Sequence, residues 1–177
     1  MAFPNVITVF RILATPIVCA LIAYESRNLA LILFILACIS DFFDGYVART
    51  YKLDSKLGKH LDSFADKFLI NSVLISLIQT RTISGINVIP VYFILTRNLS
   101  VYFLRYYLNV SQNKNLDSNE FGKLNTCTQM LSISILILQD SNFGDFLLWI
   151  SSLSTISSLF YYSLIAKQEL TKNHHFK

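Results

Sequence analysis

Charge is scarce in this sequence. Charged residues make up 15% of its 177 positions, against roughly 25% in soluble domains, so an ordinary water-soluble globule is not the first expectation. There is also no basic soluble face for nucleic acid to dock on. Only three cysteines occur, Cys19, Cys38 and Cys127. They are odd in number, lie in apolar runs and have no CxxC spacing, which reads as free packing thiols rather than a disulfide framework or thiolate metal site. Repeats and low-complexity tracts are absent. So is the strand alternation of an outer-membrane barrel. The N-terminus has no basic n-region, so no cleavable signal is expected and the first apolar stretch is expected to remain as a span.

What is present is apolar. Hydrophobic residues account for 53% of the chain and aromatic ones for 14%, and mean hydropathy is +0.48. A membrane helix takes about 20 apolar residues, and six such segments fit, at 7–25, 28–49, 59–80, 86–109, 121–139 and 143–166. Helices are the choice for all six, because in lipid only helices and closed barrels satisfy every backbone polar group. The expected fold is therefore an all-α integral membrane protein, a bundle of six transmembrane helices forming a single domain over 1–177.

The basic residues orient it. With a cytoplasmic N-terminus, the inner segments hold Arg49, Lys52, Lys56, Lys59, Arg105, Lys114, Lys123, Lys167, Lys172 and Lys177, and the outer ones only Arg27 and Arg81. By the positive-inside rule both termini face the cytoplasm. The net charge of +4 follows from this bias and favours anionic headgroups. His174 and His175, lacking further ligands nearby, read as solvated tail.

Against this background the stretch "DFFDGYVART" at 41–50 stands out. A lone Asp at the centre of a bilayer costs about 3 kcal/mol on insertion scales, so carboxylates there usually serve a site. Asp41 and Asp44 close the second segment; Asp62 and Asp66, in "GKHLDSFADK", open the third. Spacings of three and four put each pair on one helical face, and the topology brings both to the same depth. Repulsion among four carboxylates would disturb their ionisation unless cations intervened, and an all-oxygen set suits Mg²⁺ or Mn²⁺. Two such ions about 4 Å apart are a recurring device of phosphoryl transfer. Arg49, a turn beyond Asp44, supplies a cation for a phosphate oxygen. Gly45 inside a helix loses roughly 1 kcal/mol against Ala, which close approach of a nucleotide would justify. Ala48 and Gly58 fit the same closeness or serve helix packing. Interfacial salt bridges to Lys59, Lys67 or Arg49 are the structural alternative for these aspartates.

Residues 41–66, "DFFDGYVARTYKLDSKLGKHLDSFAD", resemble the signature of the CDP-alcohol phosphatidyltransferases, D-x2-D-G-x2-A-R-x8-G-x3-D-x3-D, at every fixed position. The opening "PNVITVFRILATP" looks like that family's first helix. The resemblance implies transfer of a phosphatidyl group from CDP-diacylglycerol to an alcohol, with release of CMP, in a homodimer whose active site opens to the cytoplasm among membrane lipids. It implies that Asp41, Asp44, Asp62 and Asp66 hold two divalent ions, Mg²⁺ or Mn²⁺, and that Asp66 is also the base toward the acceptor hydroxyl. Thr8, Gly45, Ala48, Arg49 and Gly58 would surround the CDP-diacylglycerol headgroup.

The acceptor is read from three more cations. Arg97, Arg105 and Lys123 lie within or at the cytoplasmic ends of the fourth and fifth segments and suit an acceptor that carries a phosphate, such as glycerol 3-phosphate. "FGKLNTCTQM" resembles a segment of phosphatidylglycerophosphate synthases, but "KLNTCTQ" also resembles cardiolipin synthases, whose acceptor is phosphatidylglycerol. Asn98 and Tyr106 stand where phosphatidylglycerophosphate synthases often have Glu, and Ser63 stands where "LDP" is common, a change expected to alter only a helix start. Lys123 has a second reading as a snorkelling anchor. Two rivals of other kinds remain. Intramembrane prenyltransferases need two separated Asp-rich motifs and about nine spans, too many for this chain. A divalent-cation transporter would not place Arg49 beside the ion path.

Overall fold

The computed structural model describes the backbone of residues 3–51, 56–112, 120–138 and 141–174, and the side chains of 8–40, 58, 61–104, 122, 124–138 and 142–159. Among these residues the chain forms six α-helices and no strand: α1 (Phe3–Ala23), α2 (Arg27–Tyr51), α3 (Lys56–Gln79), α4 (Val88–Gln112), α5 (Glu120–Ile137) and α6 (Ser141–His174). A 3₁₀ turn, Gly85–Asn87, leads into α4. All six expected segments are helices. The sixth runs past its expected end at 166, because "AKQELTK" consists mostly of good helix formers. Ser63 lies inside α3 rather than at its start, which corrects the reading of that position.

Helices α2 and α3 both pack on α1, α5 packs on α6, and the two groups are joined by α4, which packs on α6 and α3, and by contacts of α5 with α2 and α3. Val18, Ile22, Phe34, Leu69, Leu74, Ile94, Ile133 and Leu148 fill the apolar core. The turns after α1 and α3 are closed by residues other than glycine. After α1, Glu25 takes φ 58, while Ser26 N–H donates to the Leu21 carbonyl and Glu25 N–H to the Ile22 carbonyl, a Schellman ending. Arg81, at φ 57, ends α3 in the same backbone region. Arg27 then ties three elements together, donating to Thr82 Oγ1 at 3.2 Å and to the Ile137 carbonyl at 3.4 Å. On the same end Asn87 donates to Asp145 Oδ2 at 2.6 Å and accepts from Trp149 Nε1 at 3.1 Å.

Polar side chains are buried beside the apolar core, and many large apolar ones are exposed. Arg11, Thr15, Arg97, Asn98, Asn125, Gln129 and Ser132 are buried, whereas Leu13, Ile17, Leu36, Tyr92, Phe103, Leu131 and Leu153 are exposed. Among the described residues one helix, Gly85–Leu104, is long and apolar enough to cross a membrane; Thr8–Ala23, Arg27–Ser40 and Leu124–Ile137 are shorter apolar helices.

Candidate active site

The bundle end formed by the start of α1, the end of α2 and the start of α3 collects the aspartate signature. Asp41, Asp44, Gly45, Ala48 and Arg49 all lie on the last turns of α2; their side chains are outside the described residues. Gly58, Asp62 and Asp66 lie on α3 at intervals of four, so they share one face. Opposite them on α1 is a residue to which sequence reasoning gave no role. Arg11, at 0% exposure, donates from Nη1 to Asp62 Oδ1 at 3.0 Å, while the Asp62 side chain remains 38% exposed. Thr8, almost a turn before Arg11, is buried as well. The signal for Arg11 was available, since an arginine in an apolar helix rarely lacks a partner or a task.

Asp66 is held differently. Lys67 Nζ donates to its Oδ2 at 2.7 Å, one of the pairings offered by the structural alternative. Its other oxygen, Oδ1, is buried and has no hydrogen-bond partner. A buried carboxylate oxygen left unpaired forfeits about 1–3 kcal/mol or more, so it is an acceptor site waiting for a proton donor or a cation. A half-exposed Asp62 one turn away completes an all-oxygen pair of the kind that binds hard divalent ions. Among the described residues no group of three or more metal-ligating side chains occurs.

A second polar centre lies between α3, α4, α5 and α6. Arg97, 3% exposed, donates from Nη2 to Ser158 Oγ on α6 at 2.7 Å and from Nη1 to Asn98 Oδ1 at 3.3 Å. Asn98 Nδ2 donates to Asn71 Oδ1 at 3.1 Å and to Gln129 Oε1 at 3.5 Å. From there Gln129 Nε2 donates to Thr155 Oγ1 at 3.3 Å, and Thr155 to Asn125 Oδ1 at 2.9 Å. Every step from Arg97 to Asn125 runs in the same donor-to-acceptor sense, an arrangement in which each bond polarises the next. The chain ends on Asn125 Nδ2, a buried donor without a hydrogen-bond partner. Of the three expected acceptor cations, Arg97 belongs to this network; the side chains of Arg105, near the end of α4, and Lys123, in the first turn of α5, are outside the described residues. Sequence reasoning missed the network, although Asn125, Gln129 and Ser132, and Ser151, Thr155 and Ser158, recur at helical spacing in apolar segments.

Comparison with known proteins identifies the family. A model of the family described as CDP-alcohol phosphatidyltransferase matches residues 1–157. The chain belongs to that family. Among its relatives, a protein of Rickettsia bellii named CDP-diacylglycerol–glycerol-3-phosphate 3-phosphatidyltransferase is 36% identical over 176 residues, covering 93% of this chain and 95% of its own length. Proteins with the same name from Cereibacter sphaeroides and Haemophilus influenzae are 41% and 27% identical, over 77% and 96% of this chain and 63% and 96% of their own lengths. The family match spans the whole signature, so Asp62, Asp66 and the α1 residues facing them lie within the shared domain.

Proposed function

We propose that this CDP-alcohol phosphatidyltransferase transfers a phosphatidyl group from CDP-diacylglycerol to glycerol 3-phosphate, releasing CMP and forming phosphatidylglycerophosphate. The observation that carries the reading is Asp66, whose buried Oδ1 lacks a hydrogen-bond partner in a chain with relatives named for this reaction. In the proposed step the acceptor hydroxyl oxygen bonds to the phosphatidyl phosphorus and the P–O bond to CMP breaks, its electron pair leaving on the CMP phosphate. Asp66 Oδ1 takes the hydroxyl proton, general-base help typically worth about 10²–10⁴-fold. Lys67, bonded to the other oxygen, keeps the carboxylate from turning away.

Asp41, Asp44, Asp62 and Asp66 would hold the divalent ions, Mg²⁺ or Mn²⁺, which when bound supply charge neutralisation at the diphosphate. Arg11 orients Asp62, and Thr8, Gly45, Ala48, Arg49 and Gly58 surround the CDP headgroup. Arg97, Arg105 and Lys123 bind the acceptor phosphate.

The same reading makes the chain a single six-span membrane domain, a homodimer with both termini and the site on the cytoplasmic side. Its support is the burial of amides and arginines beside the apolar core with many large apolar side chains outside, together with the bias of basic residues toward alternate connecting segments of the sequence.

The test is purified protein in mixed micelles with CDP-diacylglycerol, offered glycerol 3-phosphate or phosphatidylglycerol, with CMP and lipid product measured. Glycerol 3-phosphate conversion is expected. Conversion of phosphatidylglycerol alone would make the acceptor assignment wrong and leave the aspartate chemistry standing.

A further inference from the structure

Asn98 occupies a junction of helices that its neighbour Arg97 does not explain by itself. The amide is at 0% exposure, and its two ends do different work. Oδ1 accepts from Arg97 Nη1, while Nδ2 donates to Asn71 on α3 and Gln129 on α5. Those contacts fix which way the amide faces, because the guanidinium offers only donors and the bonded Asn71 and Gln129 atoms are oxygens. Asn71 stands five residues beyond Asp66 on the same helix. Asn98 therefore ties Arg97 to the helix that carries the carboxylates.

A guanidinium is a rigid planar fork, so contacts from two sides fix both its position and its plane. For Arg97 the two sides are Ser158 on α6 and Asn98 on α4. We propose that Asn98 is a positioning residue for the acceptor, holding Arg97 in the orientation that receives the acceptor's phosphate and coupling it to α3. The inference rests on the acceptor assignment made above. It concerns an amide where a carboxylate would also accept from the guanidinium. A neutral amide can accept from Arg97 without cancelling its charge, and its NH₂ group can bind two further helices, which a carboxylate cannot do.

The experiment measures KM for glycerol 3-phosphate and for CDP-diacylglycerol, with thermal midpoints in the same detergent, for the wild type, Asn98→Leu, Arg97→Gln and the double variant. Wild-type turnover of glycerol 3-phosphate is the control on the functional reading; its absence would overturn that reading and this one with it. Given turnover, Asn98→Leu should raise the acceptor KM roughly tenfold, the scale of one hydrogen bond to a charged group. The CDP-diacylglycerol KM should stay within about twofold, since its diphosphate is bound elsewhere. In the Arg97→Gln background Asn98→Leu should add no further rise, because Asn98 acts through Arg97. Should Asn98→Leu not fold, Asn98→Ser, too short to span the junction, reads the same pair of KM values. An unchanged acceptor KM, a parallel rise in both KM values, or independent multiplication of the two substitutions would each overturn the proposal.

Discussion

Arg11 Nη1 on α1 lies 3.0 Å from Asp62 Oδ1 on α3, and the two partners differ in burial: the arginine side chain is at 0% exposure, the aspartate at 38%. The cation is thus part of the helix packing, while the carboxylate it holds still faces the site. α1 thereby sets the aim of a signature aspartate. Removing one partner of a fully buried pair costs about 3–5 kcal/mol, but the exposure of Asp62 weakens this one. We expect a double-mutant cycle on Arg11→Met and Asp62→Asn, read by thermal unfolding, to give a coupling of about 0.5–2 kcal/mol. Additive effects would mean that the pair does not act as a unit.

Asp66→Asn keeps the shape of the side chain and removes the proton acceptor. Turnover should fall by at least about 10²-fold with the fold retained, as read by the melting midpoint. Asp62→Asn should also lower turnover, and in addition shift the Mg²⁺ or Mn²⁺ titration to higher concentration, since a ligand charge is lost. A titration identical to wild type in Asp62→Asn would remove that residue from the metal set.

The α3 part of the candidate site was legible in the sequence because its spacing is local. Asp62 and Asp66 share a face for reasons of helical periodicity alone, and α3 keeps them there. The partner of Asp62 was not legible: Arg11 is 51 positions away, and which of several cations pairs with a carboxylate depends on how α1 packs against α3. The Asn98 junction was hidden for a similar reason. Polar residues at helical spacing on α5 and α6 signal a buried seam, yet which amide meets which hydroxyl is set by helix rotation and depth. The helix ends were nearly legible, except where good helix formers carried α6 onward through the charged tail.

Gly144, near the start of α6, is a packing position. A Cβ there would lie 2.7 Å from Leu136 Cδ2 and 2.8 Å from its Cγ, and Ser132 Oγ donates to the Gly144 carbonyl at 3.1 Å. The Leu136 side chain of α5 packs directly on the α6 backbone there, in the space that a side chain would need. Gly144→Ala should destabilise by about 1–3 kcal/mol through overpacking. In a Leu136→Ala background, itself destabilised by the lost core side chain, Gly144→Ala should cost less than in the wild type, a non-additivity visible in the melting midpoints.

The proposed topology makes its own demand. With Cys19, Cys38 and Cys127 replaced, single cysteines at Ser55 and Ser84 should react with an impermeant thiol reagent from opposite sides of sealed vesicles, Ser55 from the cytoplasmic side. Reaction of both from one side would break the six-span arrangement.

The last expectation concerns the other two cations proposed for the acceptor. If Arg105 and Lys123 bind the phosphate of glycerol 3-phosphate, Arg105→Gln or Lys123→Met should raise the acceptor KM strongly and lower kcat where orientation suffers. A hydrogen bond to a charged group contributes about 1.5–3 kcal/mol, or roughly ten- to more than a hundredfold in kcat/KM for the acceptor. The KM for CDP-diacylglycerol should change little, because in the proposed site its diphosphate is bound by the aspartate-held ions and Arg49. Glycerol offered without its phosphate is the discriminating control. It lacks the anion these residues bind, so its poor turnover should be nearly the same in wild type and variants. A variant that loses glycerol and glycerol 3-phosphate turnover alike would show that the cation supports the fold or the CDP headgroup, and the phosphate assignment would have to move elsewhere.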